Sequence, residues 1–180
     1  MTAGRMARTL ATAAAVLAAV PVAMSLAGMD RASAQSAACE AAGDAAATRA
    51  AFYSALNDWR GREGLPAMAP DTALERASDS YACVMVEREH FDHVGPDGST
   101  PMTRAADTGY TACLIAENIA AGQGDAAEVF QAWLDSPGHR RNMALDDASD
   151  VGLGLTIRRG GPQDGLQGRP YWALLLGRRC

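Results

Sequence analysis

From Asp44 the apolar positions recur at three- and four-residue spacing: Ala47, Ala50, Ala51, Leu56 and Trp59 share one stripe, which Gly61 and Gly64 end. The spacing predicts a helix with Asp44 as its N-cap. Leu65-Pro66 turns the chain, and Asp71 can cap a second helix whose stripe is Ala73, Leu74, Ala77, Tyr81, Val84 and Met85, ending near Arg88. The run His90-Phe91-Asp92-His93 then meets Gly95-Pro96-Asp97-Gly98, which is dense in turn residues. Thr100-Pro101 reads as the N-cap and first position of a short helix to about Asp107. Asp125 with Glu128 marks another helix start, with Val129, Phe130, Trp133 and Leu134 inward. Ser136-Pro137-Gly138 stops that helix and opens a short one carrying His139, Arg140 and Asn142. Val151, Leu153, Leu155 and Ile157 alternate with smaller or polar residues, which is strand periodicity. A Gly-rich stretch from Gly160 to Gly168 separates this strand from Tyr171 to Leu176, so the two predict an antiparallel hairpin with a long turn.

Ahead of these elements, Arg5 and Arg8 precede an apolar run from Leu10 to Ala27 and an Ala32-Ser33-Ala34 exit. That order is the order of a secretory signal peptide. The expected organisation is a signal peptide over residues 1–34, an N-terminal segment over 35–43 and one domain over 44–180. Removing the leader's three Arg and one Asp from 16 basic and 21 acidic residues leaves a net charge of −7. An acidic surface argues against nucleic acid as a partner. No membrane span is expected after cleavage, a monomer is the expected state, and the destination is the periplasm or the medium.

Cys39, Cys83, Cys113 and Cys180 form an even set without a C-x-x-C pair, which in an oxidising compartment reads as two disulfides. Of three possible connectivities, the expected one joins Cys83 to Cys113 and Cys39 to Cys180. The first would tie a helix to a nearby loop, and the second would staple the two ends of the domain.

Chemistry concentrates in three phrases: F-D-H-V-G-P-D-G-S-T-P at Phe91 to Pro101, A-E-N-I-A-A-G at Ala116 to Gly122, and W-L-D-S-P-G-H-R-R-N at Trp133 to Asn142. They supply His93, Glu117 and His139, too far apart in sequence for a local loop, so a shared site must be assembled by tertiary folding. Two imidazoles and a carboxylate suit a divalent metal, zinc above all, and three protein ligands with one open position is how catalytic zinc is held. Glu117 could instead act as a base, or the same groups could bond one another and fix the loops. Asn118, Ser136 and Asn142 stand at element ends, where caps and turns use such residues. The glycine-flanked G-x-S-x-G nucleophile pattern, a phosphate loop and a dinucleotide fingerprint are missing from the sequence.

With L-N-D-W-R at Leu56 to Arg60, G-Y at Gly109 and V-G-L-G-L at Val151, these ordered phrases resemble the CAP superfamily of cysteine-rich secretory, antigen 5 and pathogenesis-related 1 proteins in its bacterial form. The resemblance implies an α+β fold, an α-β-α sandwich whose small, mainly antiparallel sheet is flanked by helices on both faces. It also implies a cleft, sometimes metal-holding, to which His93 and the E-N pair Glu117-Asn118 correspond. The late-strand histidine of eukaryotic members has no counterpart here, since the chain reads Tyr171-Trp172-Ala173-Leu174. His139 belongs to the S-P-G-H-R-x-N phrase of bacterial members. Two function classes follow. One is a secreted binding module whose cleft around His93, Glu117, His139 and Asn118 takes a small molecule, lipid or cell-envelope component. The other is a divalent-metal-dependent hydrolase of peptide or envelope material, with His93 and His139 as ligands and Glu117 as ligand or base.

Overall fold

Four of the five helices among the described residues begin at a residue whose side chain satisfies an orphan amide. In the computed structural model, which describes residues 1, 39–41, 44–158 and 168–180, Asp44 caps α1 (Ala45–Arg62) and accepts from Ala47 N at 3.0 Å. Asp71 caps α2 (Thr72–Glu87) through Ala73 N and Leu74 N, and Thr100 forms a capping box with Thr103 at the start of α3 (Pro101–Asp107). Asp125 accepts from Glu128 N to open α4 (Ala126–Asp135), and the Glu128 carboxylate in turn accepts from Gly124 N at 2.7 Å. Ser136 is the N-cap of α5 (Pro137–Met143), with Pro137 in the first turn. The expected signal peptide and most of the turn at 160–168 lie outside the described residues.

The strands are β1 (Cys39–Ala41), β2 (Ala69–Pro70), β3 (Ala112–Ala121), β4 (Asp150–Arg158) and β5 (Pro170–Arg179). They form one sheet in the order β1-β4-β5-β3, with β2 parallel to the start of β4 and the other pairings antiparallel. The expected hairpin is β4–β5, with Leu153 opposite Leu174 and Leu155 opposite Trp172. Strand β3, which alternation did not mark, runs antiparallel to β5 at the far edge, with Glu117 opposite Leu175 and Asn118 opposite Leu174.

Alternation along the strands divides the core into two layers. Val151, Leu153, Leu155, Trp172, Leu174 and Leu176 pack with Phe52, Leu56 and Trp59 of α1, Phe130 and Trp133 of α4 and Met143 of α5. Ile119, Tyr171, Ala173 and Leu175 face the other way, against Tyr81, Ala82 and Met85 of α2 and Ala105 of α3. The result is the α-β-α sandwich. The V-G-L-G-L phrase has its reason here, because α2 lies directly on Gly152 and Gly154. A Cβ on Gly154 would stand 2.1 Å from the Ser78 carbonyl carbon and 2.3 Å from Asp79 N, and one on Gly152 2.3 Å from the Leu74 carbonyl carbon.

Between β2 and β1 the outer edge of β4 has no strand partner among the described residues, and side chains close it. Leu153 N donates to the Tyr53 hydroxyl at 2.9 Å, Arg49 Nε donates to Leu153 O at 2.7 Å, and Leu155 N donates to Asp79 Oδ1 at 3.3 Å. Arg49 also pairs with both Asp79 oxygens. Buried backbone groups that would otherwise be orphaned are thereby satisfied.

The disulfides correct the expected pairing: Cys39 is joined to Cys83 and Cys113 to Cys180. Strand β1 lies against β4 and touches α2, which brings Cys39 to Cys83. The C-terminal end of β5 lies beside the start of β3, where Ala112 pairs with Arg179 and Cys180 N bonds Thr111 O at 3.2 Å. The sheet register therefore places Cys180 at Cys113. The bridges staple both edge strands, a geometry that Cys spacing does not encode.

Candidate functional site

The site forms at the β3 edge of the sheet, because Glu117 and Asn118 point to opposite faces of that strand and each recruits one phrase. On the α2–α3 face, Glu117 is buried at 5% exposure, and its carboxylate is held from both sides. Oε1 is 2.8 Å from His93 Nδ1, and Oε2 accepts from Arg104 Nη2 at 2.6 Å. The same Nη2 donates to the His93 carbonyl at 3.1 Å, and Arg104 Nη1 donates to Ser99 O at 3.0 Å. The Arg104 guanidinium lies over the Tyr81 ring, 3.4 Å from its centroid, and the Tyr81 hydroxyl donates to Asp92 O. The loop from Asp92 to Ser99 is thus fastened at three carbonyls by residues of α2 and α3. His93, whose side chain is 52% exposed, is the open member of the set.

On the opposite face, Asn118 is fully buried and bonds α5 to the strand. Its Nδ2 donates to His139 O at 3.1 Å, while Asn142 Nδ2 donates to Asn118 Oδ1 at 2.9 Å and to Glu117 O at 3.0 Å. These amides explain why E-N and H-R-x-N occur together: they clamp the seven-residue α5 onto β3 and so set the position of His139. The half-buried His139 ring meets Trp133 edge-on, with centroids 6.4 Å apart. Burial pushes its imidazole below the ordinary value, and the charge of nearby His93 adds to the effect.

The fold thus brings His93 and Glu117 into direct contact and places His139 within electrostatic reach of His93. His90, the remaining histidine, turns to the Val94 carbonyl at 2.7 Å. Arg104 and Tyr81 are site residues that the sequence reading did not single out. The signal for Arg104 was thin, the single Arg of a short helix, although its neighbour Ala105 is also buried and marks that side as inward. Two imidazoles are donors zinc accepts, but both Glu117 oxygens are already engaged, which sets the carboxylate behind His93 rather than beside it. His93, Glu117 and His139 do not form a group whose ligand atoms all lie within 4.8 Å of one another. Among the described residues, the trio of His, Cys, Asp or Glu with ligand atoms within 4.8 Å of one another is Cys39, Cys83 and Glu87, and there the sulfurs are bonded to each other.

A three-layer sandwich whose edge strand carries an E-N pair between two histidine-bearing phrases defines a class of small modules. The profile of the cysteine-rich secretory protein (CAP) family matches residues 53–165, and the chain belongs to that family. It is 31% identical over 98 residues to the uncharacterized protein YkwD of Bacillus subtilis, a match covering 54% of this chain and 38% of that one. It is 29% identical over 100 residues to an uncharacterized protein of Borreliella burgdorferi, covering 56% and 63%. The chain therefore spans less than two thirds of either relative. Among solved structures, an outer surface protein of Borrelia burgdorferi superposes with TM-score 0.67 at 25% identity, covering 77% of this chain and 97% of that one. An extracellular protein containing a SCP domain from Bacillus anthracis gives 0.62 at 25% identity, covering 72% and 40%. No helix among the described residues is long and apolar enough to cross a membrane.

Proposed function

We propose that the protein is an exported binding module whose cleft, between His93 and His139 at the β3 edge, accepts a small molecule, lipid or cell-envelope component. The observation that carries this reading is the half-exposed His93 ring, fixed through Nδ1 by buried Glu117 so that Nε2 is offered outward. The surroundings suit an amphipathic ligand. Apart from Met1, the exposed large apolar side chains among the described residues are Phe91, Val94 and Met102, and they fall in the segment that carries His93. Export is supported by the two disulfides and by the likeness to surface and extracellular proteins.

A second reading, a metal-dependent hydrolase, draws on the same contact. Metal-bound histidines commonly pair their other ring nitrogen with a carboxylate, as His93 Nδ1 pairs with Glu117 Oε1 at 2.8 Å. In this reading Glu117 orients His93, and zinc bound at the two imidazoles would polarise a substrate carbonyl. The test is to measure binding of solubilised muropeptides, phospholipid vesicles and zinc to the wild type, His93→Ala and His139→Ala. The binding-module reading expects muropeptides or vesicles to bind the wild type without zinc and to lose affinity in both folded variants. Binding of zinc alone, needing both histidines, would favour the hydrolase. Equal binding by wild type and variants would remove the cleft from either account.

A further inference from the structure

We propose that Cys39, Cys83 and Glu87 form a zinc site once the Cys39–Cys83 bridge is reduced, and that the metal then takes over the fastening of β1 to α2. Cys83 and Glu87 stand four residues apart, on one face of α2 at its C-terminal end. Cys39 meets them from β1, and the two cysteine Cα atoms are 5.5 Å apart. One ligand atom from each of the three side chains lies within 4.8 Å of the other two. Both cysteines are half-buried and Glu87 is exposed, so an ion reaches the group from solvent.

The donor set selects the metal. Thiolates are soft ligands and favour zinc over magnesium or calcium, and three protein ligands leave one tetrahedral position for water. Zinc–sulfur bonds of about 2.3 Å set two tetrahedral sulfurs about 3.8 Å apart, a spacing that two cysteines with neighbouring Cα atoms reach by side-chain rotation.

In the oxidised protein the two sulfurs are bonded to each other and neither is free to ligate. A dithiol reductant changes this. Its own sulfurs join as a disulfide, the Cys39–Cys83 bond breaks, and two electrons and two protons pass to the cysteines as S–H groups. Zinc then displaces those two protons. Strand β1 has use for the fastener in either state, since it pairs with β4 through three residues, and a strand that short holds poorly by itself.

The experiment compares the purified full chain with the same chain reduced by a phosphine, which carries no thiol to compete for metal. Cobalt(II) is titrated first, because thiolate ligation gives a sulfur-to-cobalt charge-transfer absorption that histidines at the cleft do not. Zinc affinity is then read from displacement of the cobalt. The reduced wild type is expected to gain the band, and the oxidised protein to lack it. Glu87→Gln should weaken zinc about tenfold or more, a loss that groups merely supporting a metal ligand already produce. Cys39→Ser should remove most of the band, whereas Cys113→Ser with Cys180→Ser should keep it. Near-UV circular dichroism with and without zinc covers a reduced chain that loses its fold, for zinc is then expected to restore the signal. The proposal is overturned by a reduced wild type without the band, by zinc affinity unchanged in Glu87→Gln, by a band that survives Cys39→Ser or vanishes in the Cys113/Cys180 variant, or by a reduced chain that zinc leaves unfolded.

Discussion

Breaking the Arg104–Glu117 pair from one side should cost much more than removing both charges. The two side chains are 9% and 2% exposed, with 2.6 Å between Nη2 and Oε2. Removing one partner of such a pair strands a buried charge, at about 3–5 kcal/mol. The structure further predicts an asymmetry. Arg104→Met strands the carboxylate and also frees the carbonyls of His93 and Ser99, whereas Glu117→Gln leaves Arg104 those two acceptors. Arg104→Met should therefore lie at the upper end of the range and Glu117→Gln below it. The double variant, without buried charge, should cost less than the sum of the singles by on the order of 2 kcal/mol, as coupled neighbours do. The assay is urea unfolding at neutral pH with the disulfides intact, comparing midpoints at a common slope. Additivity to within about 0.5 kcal/mol would refute the reasoning, since it would mean the two charges do not share one desolvated site.

Three other outcomes follow from the same structure. Gly154→Ala should destabilise by about 1–3 kcal/mol or more, since its Cβ would stand 2.1 Å from the α2 backbone, whereas Gly61→Ala, with nothing within 4 Å, should be neutral or stabilising; thermal melts separate the two signs. A peptide map of unreduced protein should recover Cys39 joined to Cys83 and Cys113 to Cys180, and removing either bridge should cost up to about 4 kcal/mol in the chain-entropy treatment. His139 is held below its ordinary value, so the unfolded chain binds the extra proton first. Stability should fall as pH drops below about 6.5 toward the folded value. His139→Gln should flatten that part of the stability–pH curve; an unchanged curve would mean that its environment is not desolvated.

The helices were legible because their signals are local. Asp44, Asp71, Thr100, Asp125 and Ser136 each stand as the N-cap that the pattern assigns. Strand β3 was not legible, because helices cover both of its faces and Ala112–Ala121 reads as an apolar run with Glu117 and Asn118 in its middle. Strands β1 and β2 are too short to carry a period. The disulfide partners depend on which strand ends meet, a property of sheet register rather than of spacing. His93, Glu117 and His139 were legible as residue types that sit oddly in Gly-rich phrases. Arg104 was not, because an arginine on a short helix ordinarily faces solvent, and only the buried carboxylate opposite it gives this one a different role.

The central claim, that His93 and His139 flank one ligand-binding cleft, is tested most directly by following histidine ring signals while purified protein is titrated with solubilised muropeptides and, separately, with phospholipid vesicles. The chain has three histidines, so each signal can be assigned by substitution. The account predicts saturable shifts of His93 and His139 together, with His90 unmoved, and their disappearance in a folded His93→Ala variant. Shifts confined to His90, or undiminished binding by His93→Ala, would contradict it.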